Sequence, residues 1–174
     1  MNTTNHIFPP SQWVKRFVPM IPMRGKVLDL ACGSGRHTRL LTDMGAEVVA
    51  VDRDISLLGE LARLTAVEAL QADLEIGEWP LTGRVFAGIV VTNYLHRPLF
   101  PLLVSSLMKG GVLIYETFAQ GNEKFGKPSN PDFLLQPGEL LKWVDNKARV
   151  LAYEDLIINE PRPAAIQRIC AVRI

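Results

Sequence analysis

Apolar positions along the 174-residue chain follow two alternating patterns. Runs at 27–30 (VLDL), 47–51 (EVVAV) and 85–91 (VFAGIVV) are apolar at nearly consecutive positions, as strands buried on both faces are. Between them, apolar residues recur three and four apart, the helical spacing. The first such stretch is 36–44, with Leu40, Leu41 and Met44 on one face and Gly45 as its stop. In the second, Asp54 is placed to cap a helix carrying Leu57, Leu58, Leu61 and Leu64. A weaker strand is expected at 67–71. Pro101 suits the first turn of a helix through Leu102, Leu103, Val104, Leu107 and Met108, which Gly110 and Gly111 would end before a fifth strand at 112–118.

The flanks differ from this core. The N-terminal SQWVKRFVPMI predicts a short helix capped by Ser11, with Trp13, Val14 and Phe17 against the body. Residues 119–133 (AQGNEKFGKPSNPDF) are polar and rich in Gly, Pro and Asn, so they read as a long loop, a form usually tied to function or disorder. A short helix at 137–144 follows, then β-rich segments at 149–154 and 165–174 joined by INEPRPA, which suggest an antiparallel pair added to the sheet. The βαβα order predicts an α/β fold: a doubly wound, mostly parallel sheet with helices on both faces. Length allows one domain, 1–174, with a helical segment at 1–24 and a loop at 119–136 on the acceptor side.

Composition changes this picture little but excludes several classes. Hydrophobic residues make up 48% and charged residues 21%, the balance of a globular protein. A net charge of +1 gives no broad basic face for nucleic acid or an anionic membrane. Cys32 and Cys170 form no CxxC pair, which argues against zinc or a disulfide framework; no metal site is expected. No apolar run reaches about 18 residues, and MNTTNHIFPPSQW lacks the order of a secretion signal, so a cytoplasmic protein is the expectation.

Candidate chemistry gathers where the strands end, because open α/β sheets bind ligands at the carboxyl ends of their strands. The first strand ends in Asp29 and the turn ACGSG, the second in Asp52, the third in Asp73, the fourth in Thr92, Asn93 and Tyr94. A phosphate loop would need Gly-Lys-Ser/Thr, and no such lysine follows. The dinucleotide pattern fits Gly33 and Gly35, but Thr38 stands where its third glycine belongs, although Asp52 lies at the ribose-binding distance. Asp29 would repel a pyrophosphate and suit a cation. A ligand with a cation, a ribose and a purine but no phosphate satisfies all three acids, and S-adenosylmethionine is such a ligand.

These residues resemble those of the class I S-adenosylmethionine-dependent methyltransferases. LDLACGSG is similar to their D-x-G-x-G-x-G loop, with Ala31 in the first glycine position. Within that superfamily the chain is similar to the small bacterial tellurite-resistance-type enzymes, in its CGSGR turn and in FLLQPGEL at 133–140. The resemblance implies a Rossmann-like, seven-stranded sheet of order 3-2-1-4-5-7-6 with the last strand antiparallel. It implies that Asp29 faces the methionine amino end, that Ala31, Gly33 and Gly35 line the cofactor, and that Asp52 takes the ribose hydroxyls with Arg53 beside the adenine. Ala72, Asp73 and Leu74 would hold the adenine edge, and His37 and Thr92 would complete the cofactor site. Arg36 and His37, opening the helix, also read as solvated residues. The product cofactor would be S-adenosylhomocysteine.

On the reacting side, TNYLHRP places Asn93 and Tyr94 to shape the methyl pocket and His96 to act as a base, because its ordinary pKa lies near neutrality. Phe118, Lys124, Phe125 and Lys127 mark the 119–133 loop as the acceptor-selecting segment. Compact size and near-neutral charge favour a small-molecule acceptor in a monomer or homodimer, without nucleic acid or membrane. Two alternatives stay open: methyl transfer to protein or RNA, and a non-catalytic adenosyl-ligand or NAD-type binder.

Overall fold

The computed structural model describes residues 8–174; the first seven residues of the expected N-terminal helical segment lie outside the described residues. Ser11 caps α1 (Gln12–Phe17), its hydroxyl accepting from the Trp13 and Val14 amides. Trp13, Val14 and Phe17 are buried, and a 3₁₀ turn at Val18–Met20 brings Ile21 into the same apolar layer. Strand β1 (Val27–Leu30) leads through the glycine turn into α2 (Arg36–Asp43), which Gly45 ends with a φ of 86°. Strands β2 (Val48–Asp52), β3 (Val67–Gln71) and β4 (Phe86–Thr92) follow, then α3 (Phe100–Ser105) and β5 (Leu107–Phe118). A short α4 (Glu139–Val144) precedes the long strands β6 (Ala148–Ile158) and β7 (Ala164–Arg173).

The sheet order is β3-β2-β1-β4-β5-β7-β6. All neighbouring pairs from β3 to β5 are parallel, and β7 runs antiparallel to both β5 and β6. Alternating side chains feed two cores, one on each face of the sheet. Leu28, Leu30, Val49, Val51, Ile89 and Val91 join one; Val27, Val48, Ala50, Val90 and the α1 residues join the other. No helix among the described residues is long and apolar enough to cross a membrane.

Two local departures from the apolar pattern have physical causes. Residues 55–63 form 3₁₀ turns, not one helix, because Gly59 adopts φ 54°, ψ −124° and breaks the ladder. Asp54 does cap the first turn at Ser56, and Leu58 and Leu61 are buried, but Leu57 and Leu64 stay exposed. Leu107 and Met108 belong to β5 rather than to α3, and Gly110–Gly111 lie within the strand. The pairing with β4 slips there, from Phe86↔Leu107 to Gly88↔Val112. A side chain at Gly111 would stand 2.9 Å from the Met108 carbonyl oxygen, so the bulge needs glycine.

Gly88 carries a packing constraint of its own. A Cβ there would meet Ile21 side-chain atoms at 2.7, 2.8 and 2.9 Å. Gly88→Ala is therefore expected to cost about 1–3 kcal/mol by overpacking the seam between the N-terminal segment and β4, read as a lower urea midpoint at unchanged slope.

Candidate functional site

The carboxyl ends of β1 and β4 are the switch point of this sheet, since β2 and β3 extend to one side and β5 to β6 to the other. The turn after β1 is built on left-handed backbone. Ala31, Gly33 and Gly35 all have positive φ, at 54°, 53° and 79°. A Cβ on Gly33 would find no atom within 4 Å, whereas one on Gly35 would press on Leu58 and Leu61 at 2.7 Å. The two glycines thus serve different ends: Gly35 permits packing, and Gly33 faces free space.

Asp52 closes that space from the β2 side. Its Oδ2 accepts from the Gly33 amide at 2.8 Å and its Oδ1 from the Asp54 amide at 3.1 Å, which fixes the carboxylate plane. Arg53 is exposed beside it. Ala72 donates its amide to the Asp52 carbonyl oxygen, and Asp73 Oδ1 accepts from the Glu75 amide at 3.0 Å. Ala72, Asp73 and Leu74 are half-buried at the end of β3, so this edge is brought to the same rim as the glycine turn.

Asp29 is a different kind of acid. It is 2% exposed and accepts from the Thr38 hydroxyl at 2.6 Å. Burial pushes its pKa up to about 6, against the opposing pull of Thr38 and the Arg36 charge. Thr38, where a dinucleotide fold carries a glycine, supplies the hydroxyl that holds Asp29. Sequence reasoning found no role for it, because a contact between residues nine apart leaves no periodic signal.

His37 is buried rather than solvated. Its Nε2 accepts from the Ser11 amide at 3.0 Å, and burial drives its pKa down to about 3. The ring therefore stays neutral across the physiological range. Its Nδ1 lies 3.4 Å from the Thr92 hydroxyl. Ser11 also donates its own hydroxyl to Glu116 at 2.7 Å, and Arg168 pairs with Glu116 and Glu154. The N-terminal segment is thereby fastened across the ends of β4 and β5.

The residues after β4 are spread out. Asn93 has φ 55° and is exposed, and the His96 side chain is half-buried with no hydrogen-bond partner among the described residues. Tyr94 turns away from them: its hydroxyl is buried with no hydrogen-bond partner among the described residues, and the charges that raise its pKa, after burial itself, are those of Glu75, Asp73 and Asp52. Its carbonyl accepts from the buried Tyr115 hydroxyl at 2.6 Å. Tyr94 thus lies toward the ends of β2 and β3.

Residues 119–136 are held in place more than their composition suggests. Arg97 pairs with Glu139 at 2.7 Å and donates to the Asp132 and Leu134 carbonyls. Buried Asn122 binds the Pro128 carbonyl, and buried Gln167 binds that of Gln136. Phe118 is half-buried with the Arg162 guanidinium 6.0 Å from its ring, while Lys124, Phe125 and Lys127 are exposed. Cys32 is buried, and burial raises its thiol pKa, so it is an inert filler. No group of three or more metal-ligating side chains occurs among the described residues.

Residues 27–109, from β1 through the start of β5, match the family model of the methyltransferase domain. Just under half of the chain is thus similar to a methyltransferase domain. A protein-L-isoaspartate O-methyltransferase of Chlorobaculum tepidum is 32% identical over 94 residues, which is 52% of this chain and 43% of the relative. The chain thus spans less than half the length of that curated relative. Among solved structures, TehB from Haemophilus influenzae superposes with a TM-score of 0.73 at 18% identity, over 93% of this chain and 61% of that one. A glycopeptide N-methyltransferase, MtfA, complexed with S-adenosylhomocysteine, gives 0.63 at 17% identity, over 93% and 88%. At such identities the likeness is one of fold, and the strand order agrees with it: the sheet here is Rossmann-like with an antiparallel β7.

Proposed function

We propose that the protein transfers a methyl group from S-adenosylmethionine to a small-molecule acceptor. The observation that carries this reading is the open backbone at Gly33, flanked by the oriented Asp52 carboxylate. A free volume over bare backbone, an acid at the ribose-binding position and a second acid at the end of β3 fit an adenosyl ligand. Buried Asp29 favours a ligand with a positive rather than a phosphate group. The family match over 27–109 and a fold neighbour that binds S-adenosylhomocysteine support the same cofactor.

When bound, the sulfonium cofactor supplies an activated methyl group and a neutral thioether leaving group. The chain's own work is to place and shield. Gly33 and Ala31 offer backbone at close range, Asp52 receives the ribose hydroxyls, and Ala72, Asp73 and Leu74 edge the adenine, with Arg53 nearby. Tyr94, whose buried hydroxyl lies toward Glu75, Asp73 and Asp52, belongs to this adenosyl side. Thr92 and His37 lie at the switch point between β1 and β4. Asn93 borders the methyl, and His96, whose side chain has no hydrogen-bond partner among the described residues, is the base for an acceptor that must lose a proton. The braced 119–136 segment forms the acceptor wall; holding the nucleophile in line and excluding water is the main source of rate.

Isothermal titration with S-adenosylmethionine, S-adenosylhomocysteine and NAD tests the cofactor. Micromolar binding of the adenosyl ligands is expected; tight NAD binding with no adenosyl binding would overturn the reading. Asp52→Ala should weaken adenosyl binding by about 1–3 kcal/mol, through lost charge-assisted hydrogen bonds. Unchanged affinity would remove Asp52 from the ribose role. Radiolabelled methyl transfer into a metabolite fraction, set against protein and RNA fractions, tests the acceptor class.

A further inference from the structure

Arg97 directly follows His96, and among the described residues its side chain carries every hydrogen bond that joins 93–99 to 119–139. It grips both oxygens of Glu139, at 2.7 and 3.0 Å, and its two terminal nitrogens reach the Asp132 and Leu134 carbonyl oxygens at 2.7 and 2.9 Å. Glu139 is 8% exposed and also accepts from the Gln136 amide at 2.7 Å. Buried Gln167 donates to the Gln136 carbonyl, and Leu135 pairs with Phe118 through its amide and with Gln120 through its carbonyl. The backbone from 132 to 136 is thereby fixed from both sides. Phe133, between the two carbonyls that Arg97 holds, keeps its side chain 47% exposed. A partly buried arginine–glutamate pair adds little net stability over an apolar pair of similar volume, because desolvation offsets the attraction. What this pair adds is placement, through a planar, bidentate fork.

The distribution of phenylalanines says what is being placed. Phe17, Phe86 and Phe100 are buried, whereas Phe8, Phe125 and Phe133 are exposed. Phe125 and Phe133 belong to the segment assigned to the acceptor, and Phe8 adjoins Pro9 in the N-terminal segment fastened across the ends of β4 and β5. A half-buried fourth ring, Phe118, ends β5. We propose, resting on the methyl-transfer reading above, that Arg97 is a positioning residue: with Glu139 it fixes Phe133 as an apolar wall of the acceptor pocket, on the side of His96. The acceptor class follows. It is an organic molecule with an apolar face beside its nucleophilic atom; a small inorganic ion would leave these rings uncovered. The acceptor atom bonds the methyl carbon as the carbon–sulfur bond breaks with its electron pair left on sulfur, and a proton carried by that atom passes to His96.

The test supplies methyl-labelled S-adenosylmethionine and a small-molecule cell extract to the wild type, Arg97→Gln, Arg97→Lys, Phe133→Ala and the apolar pair Arg97→Met with Glu139→Leu. The wild-type product should be retained on a reversed-phase resin. Phe133→Ala, at an exposed position, should melt close to the wild type yet raise the extract concentration for half-maximal rate about fivefold or more, with the maximal rate kept. Arg97→Gln and the apolar pair should raise it at least as far, and Arg97→Lys, keeping charge without the planar fork, should fall between. Calorimetric affinity for S-adenosylhomocysteine should change less than about twofold in all of them. If Arg97 serves only the fold, the apolar pair will melt as the wild type does and recover its half-saturation as well. That result, an unchanged half-saturation in Phe133→Ala, or wild-type label that passes through the resin overturns the proposal. Should Arg97→Gln fail to fold, the apolar pair and Phe133→Ala decide by the same criteria. No label in the extract from a wild type that binds S-adenosylhomocysteine would instead overturn the small-molecule reading, and this proposal with it.

Discussion

Asp29→Asn is expected to gain stability over the wild type by about 1–3 kcal/mol as the pH rises from 4 to 7, and to lose most of its affinity for adenosyl ligands. The stability half follows from burial. Asp29 is 2% exposed, and its pKa in the folded protein is raised to about 6, whereas in the unfolded chain it takes the ordinary value near 4. Between those two values the folded protein keeps a proton that the unfolded chain has lost. Folding stability therefore falls with rising pH across that window, and the full cost of the buried charge is present above about 6. Asparagine never ionises, so its variant lacks this slope, and its side-chain oxygen still accepts from Thr38. Below about pH 4 the two proteins should differ only by a constant offset. His37, pushed down to about 3 in the folded state, gains its proton in the unfolded chain alike in both proteins, so its contribution cancels from the difference. Urea titrations at pH 4, 5, 6 and 7 give the difference directly; a flat difference would show that Asp29 is not the desolvated acid described.

The binding half follows from why such a carboxylate is tolerated. A positive ligand group brought beside Asp29 favours its ionised form and recovers part of the burial cost. Adenosyl affinity of the wild type should thus drop as the pH falls below about 6, and that of Asp29→Asn should be weak at every pH. Calorimetric titrations at pH 5 and 7.5 distinguish these outcomes. An asparagine variant that binds as the wild type does would remove the cation-recognition role from Asp29.

Much of this architecture is legible in the chain because parallel central strands must be apolar on both faces. The runs at 27–30 and 85–91 announce β1 and β4 for that reason, and the acids that end β1, β2 and β3 stand out against them. What misleads is apolar spacing that continues past a backbone break. Leu57 and Leu64 keep the helical interval across Gly59, and Leu107 and Met108 continue the α3 pattern into β5. Helical spacing records which side chains would share a face; it does not record whether the backbone between them can stay helical. The site was half visible in the same sense. Asp29, Gly33 and Asp52 belong to one local motif, whereas Ser11 meets His37 and Glu116 across 26 and 105 residues, and no spacing rule reaches that far. Sequence alone also made Asp29 an acid facing a ligand; only the fold reveals the desolvation that gives it a distinctive titration.

The two glycines of the turn should separate stability from binding. Both have left-handed backbone, with φ of 53° at Gly33 and 79° at Gly35, so alanine at either site carries strain of about 1 kcal/mol. Beyond that their surroundings diverge. The Gly35→Ala methyl would stand 2.7 Å from a terminal methyl of Leu58 and 2.7 Å from one of Leu61, both buried under α2. Neither leucine can yield without disturbing the packing of 55–63 on the sheet, so overpacking adds to strain and the total reaches about 2–4 kcal/mol. The Gly33→Ala methyl meets no protein atom within 4 Å, and its stability cost should not exceed the strain. That free space, however, is the volume assigned to the cofactor, so Gly33→Ala should reduce adenosyl affinity about tenfold or more while melting close to the wild type. Thermal melts and calorimetric titrations of the two variants form a crossed pair of measurements. A large stability loss at Gly33, or full adenosyl affinity in Gly33→Ala, would mean that the open backbone beside Asp52 is not where the ligand lies.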